Sequence, residues 1–279
     1  MTPTPEQVVR LWDGLAGSYD QVGVDFITPI ASGLVDELDP QAGERAVDLG
    51  CGRGAALLPI ARRVGPSGAV LGGDISPGML QGCRALAESE GLDRVSLVVL
   101  DAQAPDPGAV DGWVGHADLV ASSLVLFFLP DPTTALRRWV ELLRPGGRLG
   151  VATFGGRDPS WVKLDEVFAP YLPPDLLDAR TSGAAGPFGS DAGVESLLRS
   201  VDLVDVRTAS RRVTVRFADP EHWYRFSMSL GQRAFWSVIP EDLRPDVKAQ
   251  AFERLRAVAA PDGSITLWQD ARYTLGRRP

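Results

Sequence analysis

Three aspartates, Asp48, Asp74 and Asp101, each close a short apolar run in the first part of the chain. After the first of them comes Asp48-Leu49-Gly50-Cys51-Gly52-Arg53-Gly54. A glycine-rich turn lets backbone approach a ligand that Cβ atoms would hold off. A helix starting beyond it offers free N–H groups and positive potential. Asp74 stands 20 residues after Gly54, where a carboxylate can accept hydrogen bonds from both hydroxyls of a ribose. Asp101 is placed to accept from an adenine amino group, and Asp48 lies two residues before Gly50. The glycine run alone fits any tight turn. Carboxylates at three successive strand ends beside one crevice point instead to a bound nucleoside.

Other chemistry is thinly represented. The chain has two histidines. His116 precedes a strand and reads as a surface residue. His222, in Pro220-Glu221-His222-Trp223-Tyr224-Arg225, could deprotonate a hydroxyl, but it equally suits a half-exposed helix start. Arg225 and Arg233 could pair with a substrate carboxylate, or form surface ion pairs. Metal is not expected: there is no H-x-x-x-H pair and no Cys/His cluster. The hydrolase G-x-S-x-G elbow is also absent.

The elements that must position these residues follow from periodicity. Residues 6–38 predict two helices, the second over Ile27–Leu38, joined by Gly14-Leu15-Ala16-Gly17-Ser18-Tyr19-Asp20. Strands are predicted at Arg45–Leu49, Ala69–Gly73, Val95–Leu100, Ala117–Ala121 and Arg148–Phe154. Helices are predicted at Arg53–Val64, Pro77–Glu90 (with Ser76 as cap) and Thr133–Leu143. Short links between strand and helix imply a mostly parallel sheet covered on both faces. Further on, Ser190 caps a helix to Ser200, Leu203–Phe217 is a strand or ribbon, 219–259 is helical, and Ser264–Leu275 is a final strand. The fold class is α/β: a Rossmann-like, doubly wound, mostly parallel seven-stranded sheet with N-terminal helices and a helical lid. One domain is expected over 1–279. It divides into a helical cap (1–44), a core (45–156), lid segments (157–190 and 219–260) and remaining core elements (191–218 and 261–279).

Composition narrows the partners. The chain has 279 residues and a formal net charge of −8. Basic residues come only in short pieces such as Arg211-Arg212 and Arg277-Arg278, so no footprint for nucleic acid is expected. No stretch approaches the roughly 18 to 20 apolar residues of a membrane span, and the N-terminus lacks the features of a signal peptide. A cytoplasmic protein acting on a small molecule is expected. With two cysteines, Cys51 and Cys83, a disulfide framework is not. The N-terminal helices could exchange between subunits of a homo-oligomer.

These motifs resemble class I S-adenosylmethionine-dependent methyltransferases, especially the small-molecule group of ubiquinone/menaquinone-type and natural-product enzymes. The resemblance covers about residues 7–154. It rests on Ala46–Gly54, on Gly73-Asp74-Ile75-Ser76-Pro77-Gly78-Met79-Leu80, on Leu100-Asp101-Ala102-Gln103, on Leu129-Pro130-Asp131-Pro132 and on Leu143-Arg144-Pro145-Gly146-Gly147-Arg148-Leu149. It implies S-adenosyl-L-methionine as cofactor and S-adenosyl-L-homocysteine as product. Gly50, Cys51 and Gly52 would line the methionine part, with Asp48 fixing it. Asp74 would hold the ribose, Ile75 and Met79 would sandwich the adenine, and Asp101, Ala102 and Gln103 would border its edge. Ser122 would offer a carbonyl to the ammonium group, and Tyr19 would close over the cofactor.

The chain departs from the family after the fourth strand. Many relatives carry histidine there, and this one has Ser123-Leu124-Val125-Leu126-Phe127-Phe128. A base tied to that histidine is in doubt, and an apolar floor is expected. Phe127, Phe128, Trp223 and Arg225 are the expected substrate-pocket residues, with His222 the candidate catalytic base. O- or C-methylation is favoured, in secondary or cofactor metabolism. Three alternatives stay open: a methyltransferase-like cyclase or isomerase, a non-catalytic binder, and an NAD-dependent oxidoreductase. The last is disfavoured by the G-x-G-x-G spacing, where G-x-G-x-x-G is expected, and by the helices preceding the first strand.

Overall fold

The computed structural model describes residues 5–106, 108–172 and 186–279. Two helices open the chain, α1 (Pro5–Ala16) and α2 (Ile27–Leu38). Strands and helices then alternate: β1 (Arg45–Leu49), α3 (Leu57–Val64), β2 (Ala69–Asp74), α4 (Pro77–Ser89), β3 (Val95–Val99), β4 (Ala117–Ser123), α5 (Pro132–Leu142) and β5 (Leu143–Arg157). A short helix α6 (Pro159–Asp165) follows. Beyond it come α7 (Asp191–Arg199), β6 (Val204–Phe217), the helices α8 (Pro220–Ser229), α9 (Arg233–Val238) and α10 (Arg244–Arg256), and β7 (Ile265–Arg277). Residues 173–185 of the expected lid lie outside the described residues.

The seven strands form one sheet in the order β3-β2-β1-β4-β5-β7-β6. The first five run parallel. β7 runs antiparallel to both β5 and β6, so the chain closes the sheet with a long two-stranded ribbon. The connection direction reverses between β1 and β4, and a crevice opens at their carboxyl ends.

Period-two alternation divides the interior between the two sheet faces. Ala46, Val70, Leu119, Ala121 and Ala152 face the core built on α2 and α3. Val47, Leu49, Leu71, Val120, Leu149 and Val151 face the core built on α5 and α7. Helix starts follow their caps. The Ser76 hydroxyl accepts from Met79 N–H at 3.1 Å, Asp131 from Thr134 N–H at 3.0 Å and Ser190 from Gly193 N–H at 3.0 Å.

Two element starts differ from the sequence expectation by four residues or more. The helix after the glycine run starts at Leu57, four residues later than Arg53. Gly52 and Gly54 have φ of 53° and 96°, in the left-handed region, so the chain turns before it coils. β5 starts at Leu143, five residues before Arg148, because Leu143 pairs with Ala117 across an irregular register.

One contact ties the second core to the crevice. Trp139 of α5 is fully buried, and its indole N–H donates to the Ala102 carbonyl at 2.8 Å. Trp139→Phe removes that donor and strands a buried carbonyl. The expected loss is about 1–2 kcal/mol of stability, read by urea unfolding with S-adenosylhomocysteine absent.

Candidate active site

The crevice holds a cavity of about 300 Å³ lined by Gly50, Gly52, Asp74, Ile75, Met79, Leu100, Asp101, Ala102, Gln103, Tyr19 and the segment Ser123-Leu124-Val125, among others. Each wall traces to a local cause. Gly50 has φ of 73°, and a Cβ there would run into the Val125 side chain. Glycine at that position therefore keeps the loop against β4. A Cβ on Gly54 would meet Leu58 Cγ at 2.8 Å and Cys83 Sγ at 2.9 Å, so the turn packs down on α3 and α4.

Asp74 ends β2 with its two oxygens divided between two loops. Oδ2 accepts from Gly52 N–H at 2.8 Å, and Oδ1 accepts from Ser76 N–H at 2.9 Å. Burial holds the Asp74 carboxyl above its usual range despite those two donors. Asp48, in β1, is 1% exposed, and neither of its oxygens has a hydrogen-bond partner among the described residues. Burial, reinforced by the charge of Asp74, pushes its pKa up to about 7. A buried carboxylate without a partner costs free energy, and it suits a site that receives a cationic group. Asp101 is exposed at the rim, with one oxygen accepting from Gln103 N–H at 2.8 Å. The Gln103 amide in turn exchanges two 3.0 Å hydrogen bonds with the Asp131 backbone, fastening the Leu129-Pro130-Asp131 loop.

The N-terminal segment covers this cavity and is tied down at three points. Asp13 accepts from the Ser76 hydroxyl at 2.5 Å and from Gly78 N–H at 3.0 Å. Arg53 donates to the Ala16 carbonyl at 2.8 Å, and Arg233 to the Gly14 carbonyl at 2.8 Å. Tyr19 and Trp12 thereby line the cavity. Burial, with the charges of Asp20 and Asp74, holds the Tyr19 hydroxyl well above its usual pKa.

A second cavity, about 170 Å³, shares Trp12, Tyr19, Leu124 and Phe128 with the first. Its other walls are mainly aromatic. Phe127 and Phe154 lie 5.4 Å apart, Phe154 and Phe26 are stacked at 6.0 Å, and Phe26 meets Phe226 edge-on at 5.5 Å. Trp161 and Phe235 complete the cage. At the junction Leu124 has φ of 59°, an uncommon conformation for a branched side chain, and strain of that kind gathers at functional sites. Among the described residues no cluster could hold a metal ion, and no helix is long and apolar enough to cross a membrane.

Comparison with known proteins places this arrangement. A family described as a methyltransferase domain matches residues 40–170. The chain is 34% identical to nocamycin O-methyltransferase of Saccharothrix syringae, over 96% of this chain and 97% of that one. The chain belongs to the class I S-adenosylmethionine-dependent methyltransferases. It is also 40% identical to aklanonic acid methyltransferase of a Streptomyces species (strain C5), over 62% of this chain and 76% of that protein. The YcgJ protein of Bacillus subtilis shares the fold, with a TM-score of 0.58 at 14% identity over 90% of this chain and 98% of that one. This methyltransferase uses S-adenosylmethionine, and the relatives favour small-molecule methylation over the cyclase, binder and nicotinamide alternatives.

The structure brings most of the expected residues of the methyltransferase to one place and moves others away. Asp48 and Cys51 line an adjoining pocket that shares Tyr19, Gly50, Gly52 and Ser123 with the first cavity. Ser122 points away from the cavity. Its hydroxyl donates to the Leu49 carbonyl at 2.8 Å, and the neighbouring Ser123 takes the lining position. Phe127 and Phe128 fall in the second cavity. Three expectations are corrected. Trp223 is fully buried and lines neither cavity. Arg225 is exposed and lines neither. His222 is used structurally: Nδ1 accepts from Ala218 N–H at 3.2 Å, which leaves Nε2–H to donate to the Val22 carbonyl at 2.8 Å. In each case the helix periodicity could not say which face of α8 meets the sheet. Sequence reading missed Trp12, Leu124, Arg157, Trp161 and Gln269. Trp12 carried a usable signal, an aromatic two residues before the glycine-rich link. The others are brought in by long-range packing.

The raised pKa of Asp48 fixes the sign of a pH dependence. A cationic partner is favoured by the ionised carboxylate, so cofactor binding should strengthen as pH rises through about 7. Stability without ligand runs the other way. The folded state holds the Asp48 proton that the unfolded chain has released, so stability falls as pH climbs from the ordinary carboxylate range toward about 7. Asp48→Asn should flatten both trends and weaken S-adenosylhomocysteine binding roughly tenfold at neutral pH. Calorimetric titration and thermal unfolding across pH check the two halves separately.

Proposed function

We propose that this methyltransferase O-methylates a flat aromatic or polyketide-like small molecule bearing an acidic oxygen, as a tailoring step in natural-product biosynthesis in the cytoplasm. The observation that carries the reading is the aromatic cavity sharing a wall with the glycine-loop cavity. The names of its relatives support it, one an O-methyltransferase and the other a methyltransferase of an acid. In this reading the core over 45–156 holds the cofactor, and lid residues from Arg157 to Asp165 and from Phe226 to Phe235 complete the acceptor cage.

The residues fit S-adenosylmethionine. Gly50 and Gly52 give it backbone that a Cβ would obstruct at Gly50, and the unpartnered Asp48 carboxylate suits its ammonium end. Asp74 would hold the ribose, and Ile75, Met79, Asp101, Ala102 and Gln103 would border the adenine; all six line the cavity. When bound, the cofactor supplies an electrophilic methyl group on a sulfonium. Tyr19 and Trp12 hold the cap closed over the cavity. Phe127, Phe128 and Phe154 keep water from the junction, which favours a reaction in which opposite charges cancel. Orientation against that wall is worth roughly 7–11 kcal/mol of barrier in well-aligned cases.

The acceptor class follows from the groups present. Among the described residues, the ionisable ones lining the aromatic cavity are Tyr19, Arg157 and Asp165. Tyr19 is held protonated, and Asp165 is engaged by Arg157 at 2.5 Å and by Gln232 at 3.1 Å. Neither is set up as a base. The acceptor oxygen therefore arrives already ionised, as in a carboxylic acid or an acidic enol.

Incubation with methyl-labelled S-adenosylmethionine and aromatic carboxylic acids, enols and matched amines tests the reading. Label is expected in esters or enol ethers, and label confined to amine products overturns it. His222→Ala should leave kcat within about twofold and its pH profile unchanged, because both ring nitrogens serve the backbone.

A further inference from the structure

The aromatic cavity has one polar end. Arg157 closes β5, and Gln269 lies opposite it in β7. Asp165 ends α6 and Gln232 precedes α9. All four line the cavity, whose remaining walls are almost wholly apolar. Phe154, among the aromatic walls, lies three residues before Arg157 on β5, so the polar end continues beyond the ring cage toward the lid.

The bonds already made leave a defined set of groups over. The Arg157–Asp165 pair is 16% and 12% exposed, so the two charges largely cancel inside a low-dielectric pocket. Arg157 uses only Nη1 in that bond, and its other N–H groups have no hydrogen bond among the described residues. Gln269 donates from Nε2 to the carbonyls of Gly156 at 3.0 Å and Asp270 at 3.1 Å. Those carbonyls fix the orientation of its amide, which leaves Oε1 without a partner among the described residues. Gln232 likewise spends Nε2 on Asp165 and leaves its oxygen over. Trp161 Nε1 is buried with no acceptor among the described residues. The pocket therefore offers spare donors from arginine and indole beside spare acceptors from two amides, with little net charge.

We infer that this end recognises a second, neutral hydroxyl on the acceptor, remote from the methylated oxygen. A hydroxyl accepts from Arg157 and donates to an amide oxygen, which matches both kinds of spare group at once. An anionic group would meet Asp165 and two amide oxygens, and a plain hydrocarbon would leave every polar group unpaired, which a site built this way rejects. Arg157, Gln232 and Gln269 are then specificity-determining residues, and Asp165 is a positioning residue that orients Arg157. The inference rests on the aromatic cavity being the acceptor site.

The test uses the full chain saturated with S-adenosylhomocysteine and follows tryptophan quenching by naphthol, naphthalene and naphthoate. Naphthol is expected to bind about tenfold tighter than naphthalene. In the double variant Arg157→Met, Asp165→Leu, which removes both charges together, that advantage should disappear while affinity for naphthalene and S-adenosylhomocysteine is kept. Gln232→Met, which leaves the ion pair intact, should reduce the advantage about threefold. An advantage unchanged in both variants overturns the inference. So does naphthoate binding tightest in the wild type and losing that rank in the double variant, which would make Arg157 an anion receptor. Phe154→Ala separates the two readings: if it leaves naphthalene affinity unchanged, the acceptor-cavity reading itself falls.

Discussion

The site depends on how one buried carboxylate is shared. Asp74 takes the N–H of Gly52 on one oxygen and that of Ser76 on the other. The turn after β1 and the start of α4 are thus held to the end of β2. Ser76 then caps α4 and donates its hydroxyl to Asp13, so the residue held by Asp74 also seats α1. Charge-assisted bonds to backbone N–H are among the stronger ones, and three segments far apart in sequence converge on this one. The cover over the cavity is therefore mechanically continuous with its floor.

A second constraint is the junction after β4. Leu124 adopts a left-handed backbone there, with its N–H donating to Ala152 of β5 at 3.0 Å. The turn directs Val125 against Gly50 on one side and Phe127 and Phe128 toward the aromatic cage on the other. Family relatives with a histidine in this segment would place a polar group at the junction. Here the edge-on contact of Trp12 with Phe128, at 5.7 Å, fills that space. The two cavities thus meet at a junction lined mainly by aromatic and aliphatic side chains.

The electrostatics divide along the same partition. On the glycine-loop side Asp48 and Asp74 are both pushed up by burial, and the charge of Asp74 raises Asp48 further. That side is poised for a cation. On the aromatic side Arg157 and Asp165 neutralise one another. That side presents mainly aromatic and apolar surface around one neutralised ion pair.

Much of the cofactor side was legible in the sequence, because it is built from local rules. Glycines that need positive φ, aspartates at strand ends and a serine–proline helix start all act within a few residues of one another, and the parallel strand–helix alternation sets where they meet. The acceptor side was not. Phe127 and Phe128 could be read as apolar floor because they follow β4 directly. Trp223, Arg225 and His222 could not be assigned, since α8 is aromatic or polar on several faces, and only packing against Phe217 and Trp236 decides which face is inward. Arg157 and Gln269 become neighbours only when β7 pairs antiparallel with β5, across more than a hundred residues of chain. Sequence alone thus determined the donor and the fold that holds it, through short-range backbone geometry. The tertiary structure decided the chemistry of the acceptor pocket, through long-range pairing and side-chain packing that no local pattern encodes.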